Sequence, residues 1–272
     1  MKKYKGYYDM SVIRTDLWLL ELYDKPIEIC EKLTGYFDAS ATEIHNYLTL
    51  HGMYRQPLKN GVTIEKLQNK NIWGMVENEA QLLQKIWKGP DVPIFIFPSD
   101  HNNQKLIQHY QGKSGITFHD KLFLFISEYN EEDEIRALLT HEYNHICRLA
   151  KYDKYEKDYV LMDSIILEGL AENAVKERMG EQFISHWVSY YSKEKLEEMW
   201  KNLIQPNKNI PINHFTHHHI LYGFGAYPNM AGYCVGYYLV KKYMKENGLT
   251  SIDLIDAPSE KIAEIDDSTS EA

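Results

Sequence analysis

The sequence predicts an α+β fold that is mostly helical, with a small sheet in the middle of the chain. Three observations predict it: helical periodicity over the first 90 residues, three short apolar runs between residues 92 and 127, and a return to helical periodicity after Glu131. The chain has 272 residues, of which 44% are hydrophobic and 25% charged. These values are those of an ordinary globular protein and exclude a disordered or collagen-like chain.

The region 1–90 is expected to be a helical N-terminal region. One helix is predicted over residues 26–37, and a second follows the cap residues Ser40 or Thr42. A third is predicted over residues 72–87, where apolar residues recur at helical spacing and a Gly-Pro pair follows.

The region 91–250 is expected to be a second domain with a helical C-terminal lobe. Its predicted strands span residues 92–97, 115–118 and 122–126. One predicted helix spans residues 132–150, and the next begins at Asp163 or Ser164 and ends at Met179. The chain then stays mostly helical to about residue 248. Residues 251–272 are expected to form an acidic tail that frays from Glu264 onwards.

Charge and cysteine content restrict the partners and the compartment. Lys and Arg number 30 against 39 Asp and Glu, so the net charge is -9, and such a surface repels nucleic acid. Three widely spaced cysteines cannot form a disulfide framework. Neither a signal peptide nor an apolar stretch of about 20 residues is visible. We therefore expect a cytoplasmic protein that binds no nucleic acid and no membrane.

The segment His141-Glu142-Tyr143-Asn144-His145 lies inside the helix predicted over 132–150. Residues four apart lie one above the other on a helix, so both imidazoles can reach one metal ion. Glu142 lies beside them and is placed to take a proton from a metal-activated water rather than to bind the metal. The alternative is a pair of histidines that are hydrogen-bonded inside an amphipathic helix.

Glu168 strengthens the metal interpretation. It lies among Ile166, Leu167 and Leu170 near the start of the next helix. A lone carboxylate there would be costly to desolvate unless it met a cation. Two imidazoles and one carboxylate, with a fourth position open, are the ligand set of a hydrolytic zinc site. The sequence therefore predicts one zinc ion per chain.

The motif and the Glu-Gly-Leu-Ala that begins at Glu168 resemble the gluzincin metallopeptidases, whose third ligand is a glutamate on a following helix. Over about residues 90–250 the chain resembles the YjaZ-type predicted zinc-dependent proteases of bacteria. This longer match adds four short segments: Arg148-Leu149, 167–172, Gly232-Tyr233 and Gly236-Tyr237. The resemblance implies a zincin-like (gluzincin) fold, with the small sheet beside the zinc-binding helices, and the hydrolysis of peptide bonds. It makes His141, His145 and Glu168 the zinc ligands and Glu142 the general base.

The resemblance also suggests residues for two further roles, and each of these residues has an alternative interpretation. Glu172, one turn after Glu168, is expected to accept the free N–H of a ligand histidine, or else to be a solvated helix charge. Gluzincins generally take an oxyanion donor, a Tyr or His, from the region after the third ligand. Tyr233 is preferred because it begins an apolar helix and belongs to a matching Gly-Tyr pair, although it could also only pack. The other candidates are Tyr222, Tyr227, Tyr237, His214, His217, His218 and His219.

The substrate is expected to lie extended along a strand edge and to add a strand to the sheet through main-chain hydrogen bonds. The segment 114–118, with Gly115 and Thr117, precedes the zinc helix and suits such an edge. The alternative is a plain buried strand.

The sequence thus predicts a zinc-dependent peptidase that acts on a peptide or protein. One alternative is a non-catalytic zincin-fold binding protein, in which zinc only holds helices together. Glu142 argues against it, because structure alone does not need a carboxylate there. Another is a zinc hydrolase of a non-peptide amide or ester, and the sequence does not separate it from a peptidase.

Overall fold

The computed structural model describes residues 12–57 and 62–264. Over these residues the fold is α+β and mostly helical, with one three-stranded sheet, as the sequence predicts. The chain forms two compact units, residues 1–146 and 147–272, and the boundary between them falls inside one long helix. The domain boundaries drawn from the sequence at residues 90 and 250 stay predictions.

Among the described residues, five α-helices precede the sheet in the chain. They are α1 (Thr15–Leu22), α2 (Pro26–Glu31), α3 (Ala41–Leu50), α4 (Val62–Asn69) and α5 (Ile72–Trp87). Ser40 caps α3, because its hydroxyl accepts the Glu43 N–H while the Glu43 carboxylate accepts the Ser40 N–H. Helix α5 has the bounds that the sequence predicts, and it ends where Lys88 takes the left-handed conformation.

Helix α2 is shorter than the helix expected over residues 26–37. After Glu31 the chain continues in tight turns, in which the backbone N–H groups of Lys32, Leu33 and Tyr36 each donate to the carbonyl three residues earlier. Such bonds are those of 3₁₀ turns, which commonly end α-helices.

The sheet contains β1 (Ile94–Pro98), β2 (Ser114–Phe118) and β3 (Lys121–Ile126), with a short helix, α6 (Gln104–Tyr110), between β1 and β2 in the chain. Strand β3 lies in the middle, parallel to β1 and antiparallel to β2. Strand β2 is therefore an edge strand of this sheet.

The two faces of the sheet carry different side chains. On one face Phe95 stacks on Phe123, with ring centroids 4.7 Å apart, and Phe118 meets Phe123 edge-on at 6.0 Å. Successive residues of a strand point to opposite faces, so Gly115 and Thr117 of β2 lie on the other face.

Helix α7 (Glu132–Lys151) follows the sheet and contains the histidine motif. In the first unit Tyr143 anchors it. The Tyr143 ring stacks on Trp87, with centroids 6.0 Å apart, and its hydroxyl donates to the carbonyl oxygen of Pro90 at 3.0 Å.

The second unit contains five further α-helices among its described residues. They are α8 (Leu161–Met179), α9 (Lys193–Met199), α10 (Phe215–Tyr222), α11 (Ala231–Asn247) and α12 (Ser259–Ile262). Helix α8 begins two or three residues before the predicted start at Asp163 or Ser164. The Asp163 carboxylate accepts the Val160 N–H at 3.0 Å. Over the described parts of both units, no helix combines the length and the apolar composition that crossing a membrane needs.

Helices α8 and α11 pack together through their backbones. A Cβ atom added at Gly236 would lie 1.9 Å from the carbonyl oxygen of Ile165, and one added at Gly169 would lie 2.3 Å from the carbonyl oxygen of Gly236. Gly232 and Gly236 lie four residues apart and therefore share one face of α11. Because glycine has no side chain at these positions, the two helices can approach this closely.

Arg148, in the last turns of α7, is buried and holds the C-terminal segment in place. Its Nη1 donates to the carbonyl oxygens of Leu254, Ile255 and Ala257 at 3.1, 2.9 and 2.6 Å. The first part of the segment expected as an acidic tail is thus folded. Most of the end that is expected to fray, from residue 265 onwards, lies outside the described residues.

Candidate metal centre

Helix α7 places two histidines one turn apart on one side. The rings of His141 and His145 meet edge-on, with centroids 4.7 Å apart. His145 is buried, with 7% of its surface exposed, and His141 is half-buried. The i, i+4 spacing of the motif therefore brings the two imidazoles together as the sequence predicts.

Glu168, the eighth residue of α8, is half-buried and contacts α11. Its Oε1 accepts a hydrogen bond from the Tyr233 hydroxyl at 3.1 Å. The Tyr233 ring is fixed between Trp187 and Tyr222, with ring centroids 5.3 and 5.5 Å away. The close packing of α8 on α11, with Gly169 next to Glu168, is what brings this hydroxyl to the carboxylate.

His141, His145 and Glu168 form a group that could hold a metal ion. Each offers one ligand atom, and these atoms all lie within 4.8 Å of one another. Imidazole nitrogens and a carboxylate oxygen are ligands that zinc accepts at about 2.0–2.2 Å. The donor set therefore fits zinc. Within residues 12–57 and 62–264 no other group of three or more His, Cys, Asp or Glu has such an arrangement.

Glu142 is buried, with 7% of its surface exposed, and contacts β2. The Thr117 hydroxyl lies 2.7 Å from Glu142 Oε2 and 3.1 Å from the Glu142 carbonyl oxygen. A Cβ atom at Gly115 would lie 2.4 to 2.6 Å from the Cγ, Cδ and Oε1 atoms of Glu142. Both residues named from the sequence as substrate contacts thus lie against the expected general base.

This contact is not predicted from the sequence, because 25 residues separate Thr117 from Glu142. One available signal was the spacing of Gly115 and Thr117, which puts both on the same face of a strand.

Glu172 is buried one turn after Glu168, with 2% of its surface exposed. Its carboxylate accepts a hydrogen bond from the backbone N–H of Ser185. This environment differs from a solvated helix face, and the expected bond to a ligand histidine stays a prediction.

His214 and His217, two of the other candidates for the oxyanion donor, each make a hydrogen bond elsewhere in the fold. The His214 ring accepts the Thr216 N–H at 3.2 Å and caps the helix. His217 is buried, and its Nε2 lies 3.0 Å from the Ser164 hydroxyl. Burial, with a smaller contribution from His218, lowers the pKa of His217 to about 4. His217 is therefore neutral at physiological pH.

The family model described as "Predicted Zn-dependent protease (DUF2268)" matches residues 72–264. The chain is also similar to the uncharacterized protein YjaZ of Bacillus subtilis (strain 168), with 37% identity over 255 residues that make up 92% of this chain and 97% of that protein. A second relative, the uncharacterized protein YjfC of the same organism, is 24% identical over 172 residues, or 59% of this chain and 56% of that protein. No solved structure matches the chain.

The matched region contains the histidine motif, Glu168 and Tyr233, and it extends to the segment that Arg148 holds. The YjaZ relative is aligned over nearly the whole chain. The resemblance to the YjaZ-type predicted zinc-dependent proteases is thereby confirmed, and the chain belongs to the family of predicted zinc-dependent proteases.

Proposed function

We propose that this protein is a zinc-dependent peptidase with a zincin-like site of the gluzincin type. The observation that supports this most strongly is the grouping of His141, His145 and Glu168, while Glu142 is bound by a different partner, Thr117. A site that only held helices together would need the three ligands and would have no use for a separate, fixed carboxylate.

In this proposal His141, His145 and Glu168 hold one zinc ion per chain. When bound, zinc supplies Lewis-acid chemistry, because it lowers the pKa of a coordinated water to about 7 and polarises a carbonyl group. Glu172 would orient a ligand histidine by accepting its second N–H, since such carboxylate partners fix the tautomer of the ring.

Glu142 acts as the general base. One of its carboxylate oxygens takes a proton from the water that attacks the peptide carbonyl, and the carboxyl group then gives this proton to the leaving amine. The Tyr233 hydroxyl, which donates its one proton to the metal ligand Glu168, would turn that proton to the oxyanion that forms. Strand β2 is an edge strand of the sheet, and an extended peptide can add to such an edge through main-chain hydrogen bonds.

The substrate in this proposal is a cytoplasmic peptide or protein. Two thiols support the compartment: Cys30 and Cys234 are buried and form no disulfide. Unpaired cysteines are typical of proteins that work in a reducing environment.

The test compares the wild type with Glu142→Gln in a peptide-library digest, with and without a chelator. The variant keeps the shape of the side chain and removes its basicity, so it should keep its zinc and its melting temperature and lose about 10²- to 10⁴-fold in rate. Glu65→Gln, at an exposed glutamate of α4, is the matched control and should cleave like the wild type.

Equal cleavage by wild type and Glu142→Gln would contradict the proposal and indicate a contaminating protease. A zinc-loaded wild type that cleaves no peptide would favour the binding protein or the hydrolase of a non-peptide amide instead.

A further inference from the structure

Both hydrogen bonds that the Thr117 hydroxyl can donate in the structure go to Glu142. The hydroxyl carries one proton, and its two acceptors, Oε2 at 2.7 Å and the carbonyl oxygen at 3.1 Å, both belong to Glu142. Whichever acceptor takes the proton, the bond fixes Glu142 relative to β2. The shorter distance is the one to the carboxylate, and hydrogen bonds to a charged acceptor are the stronger kind.

Gly115 provides the space that this arrangement needs. The Cγ, Cδ and Oε1 atoms of Glu142 lie 2.4, 2.5 and 2.6 Å from the place where a Cβ atom of residue 115 would be. The Glu142 side chain therefore lies directly on the backbone of β2. Any other residue at position 115 would push the carboxylate away.

Strand β2 is a firm support for both contacts. Gly115 pairs with Leu124 and Thr117 with Leu122 across the ladder to β3, and both leucines are fully buried. A group that is held from a strand is placed more accurately than one that is held from a loop. Accurate placement matters here because small misplacements of a reacting group cost large factors in rate.

We propose that Thr117 and Gly115 are positioning residues for Glu142, an inference that rests on the proposed peptidase function. Thr117 donates to Oε2 and so occupies that oxygen, while Gly115 lets the carboxylate lie on β2. Oε1 is then the oxygen that forms the new O–H bond when the attacking water loses its proton. The same proton leaves Oε1 when the amine departs, so the residue returns to its starting state.

Thr117→Val removes the hydroxyl and keeps the shape of the side chain. It should lower kcat by about 10- to 100-fold with KM changed less than about twofold, because the contact is to the base and not to the peptide. Thr117→Ser restores the hydroxyl and should recover turnover to within about threefold of the wild type. Zinc content should be equal in all three proteins.

A KM that rises while kcat stays at the wild-type value would contradict the proposal, since Thr117 would then contact the substrate, as first predicted from the sequence. Failure of Thr117→Ser to restore kcat would also contradict it. Gly115→Ala should lower kcat in the same way, whereas Gly35→Ala, where a Cβ meets nothing within 4 Å, is its matched control.

A second measurement tests the contact without any catalysis. In the purified protein, Thr117→Val should lower the melting temperature by about 2–4 °C, because the hydrogen bond to Glu142 is lost. In the Glu142→Ala background the same change should have almost no effect, because its partner is gone.

Equal effects of Thr117→Val in the two backgrounds would overturn the contact itself. If the melting temperatures confirm the Thr117–Glu142 contact but the protein cleaves no peptide, the proposed peptidase function is wrong and the contact is still correct. The two failures are thus distinguishable.

Discussion

The two glutamates of the site are each held by a hydroxyl group and a nearby glycine, but the supports are of different kinds. Glu142 accepts from Thr117 at 2.7 Å and lies on Gly115 of an edge strand. Glu168 accepts from Tyr233 at 3.1 Å, where two helices touch through their backbones.

The difference lies in which atoms a larger residue would displace. At Gly115 the nearest atoms belong to the flexible Glu142 side chain, whereas at Gly236 the nearest atom is a backbone carbonyl oxygen in the buried interface of α8 and α11. A larger residue at position 115 should therefore displace the Glu142 side chain and leave the fold intact. A larger residue at position 236 should disrupt the packing of α8 on α11 that positions Glu168.

The largest effect is expected from Gly236→Ala. Its Cβ would lie 1.9 Å from the Ile165 carbonyl oxygen, so α8 and α11 must separate. We expect a loss of more than about 3 kcal/mol in the free energy of unfolding, which lowers the melting temperature by about 6–12 °C or prevents folding. Circular dichroism melts would measure it. Gly115→Ala should lose less than about 3 °C. Equal losses for the two variants would remove the contrast between the supports.

The next effect separates the roles of the two glutamates. Glu168→Ala removes a proposed metal ligand, so zinc affinity should fall by more than about 100-fold, beyond the usual effect of an outer-shell change. Glu142→Gln should leave the affinity within about threefold of the wild type. Titration of the protein with zinc against a competing chelator would measure both. Wild-type affinity in Glu168→Ala would require a different third ligand.

Of these three variants, Tyr233→Phe is expected to change the protein least, because it removes one hydroxyl and keeps most of the packing. At saturating zinc it should lower kcat by about 10²-fold, as for other oxyanion donors, with the melting temperature unchanged. Normal turnover with zinc affinity reduced by about 10-fold would mean that the hydroxyl only orients Glu168. The oxyanion role would then move to Tyr227, Tyr237 or a histidine within residues 214–219.

Long periodic segments could be predicted well from the sequence. Helix α5 has the predicted bounds because apolar spacing and a Gly-Pro pair define both ends. Helix α6 was missed because its seven residues make too few turns for periodicity to show. Helix α2 ended early because 3₁₀ turns, which depend on local hydrogen bonds, have no clear apolar pattern.

The candidate site was predictable where chemistry depends on local spacing. His141 and His145 meet because one helical turn separates them, and Glu168 followed from the cost of burying a lone carboxylate. The bonds of Thr117 to Glu142 and of Tyr233 to Glu168 join residues 25 and 65 positions apart. Such contacts depend on tertiary packing, which no local pattern encodes.

The buried guanidinium of Arg148 determines where the protein can be shortened. Its acceptors are the carbonyl oxygens of residues 254, 255 and 257, and its Nη2 also donates to the Ser259 hydroxyl at 3.2 Å. Ending the chain at residue 250 would remove all four of these acceptors together with the segment that packs over the guanidinium. Expression boundaries, affinity tags and protease sites therefore belong beyond residue 264, because a shorter chain would lose these contacts of Arg148 although every residue of the candidate site would still be present.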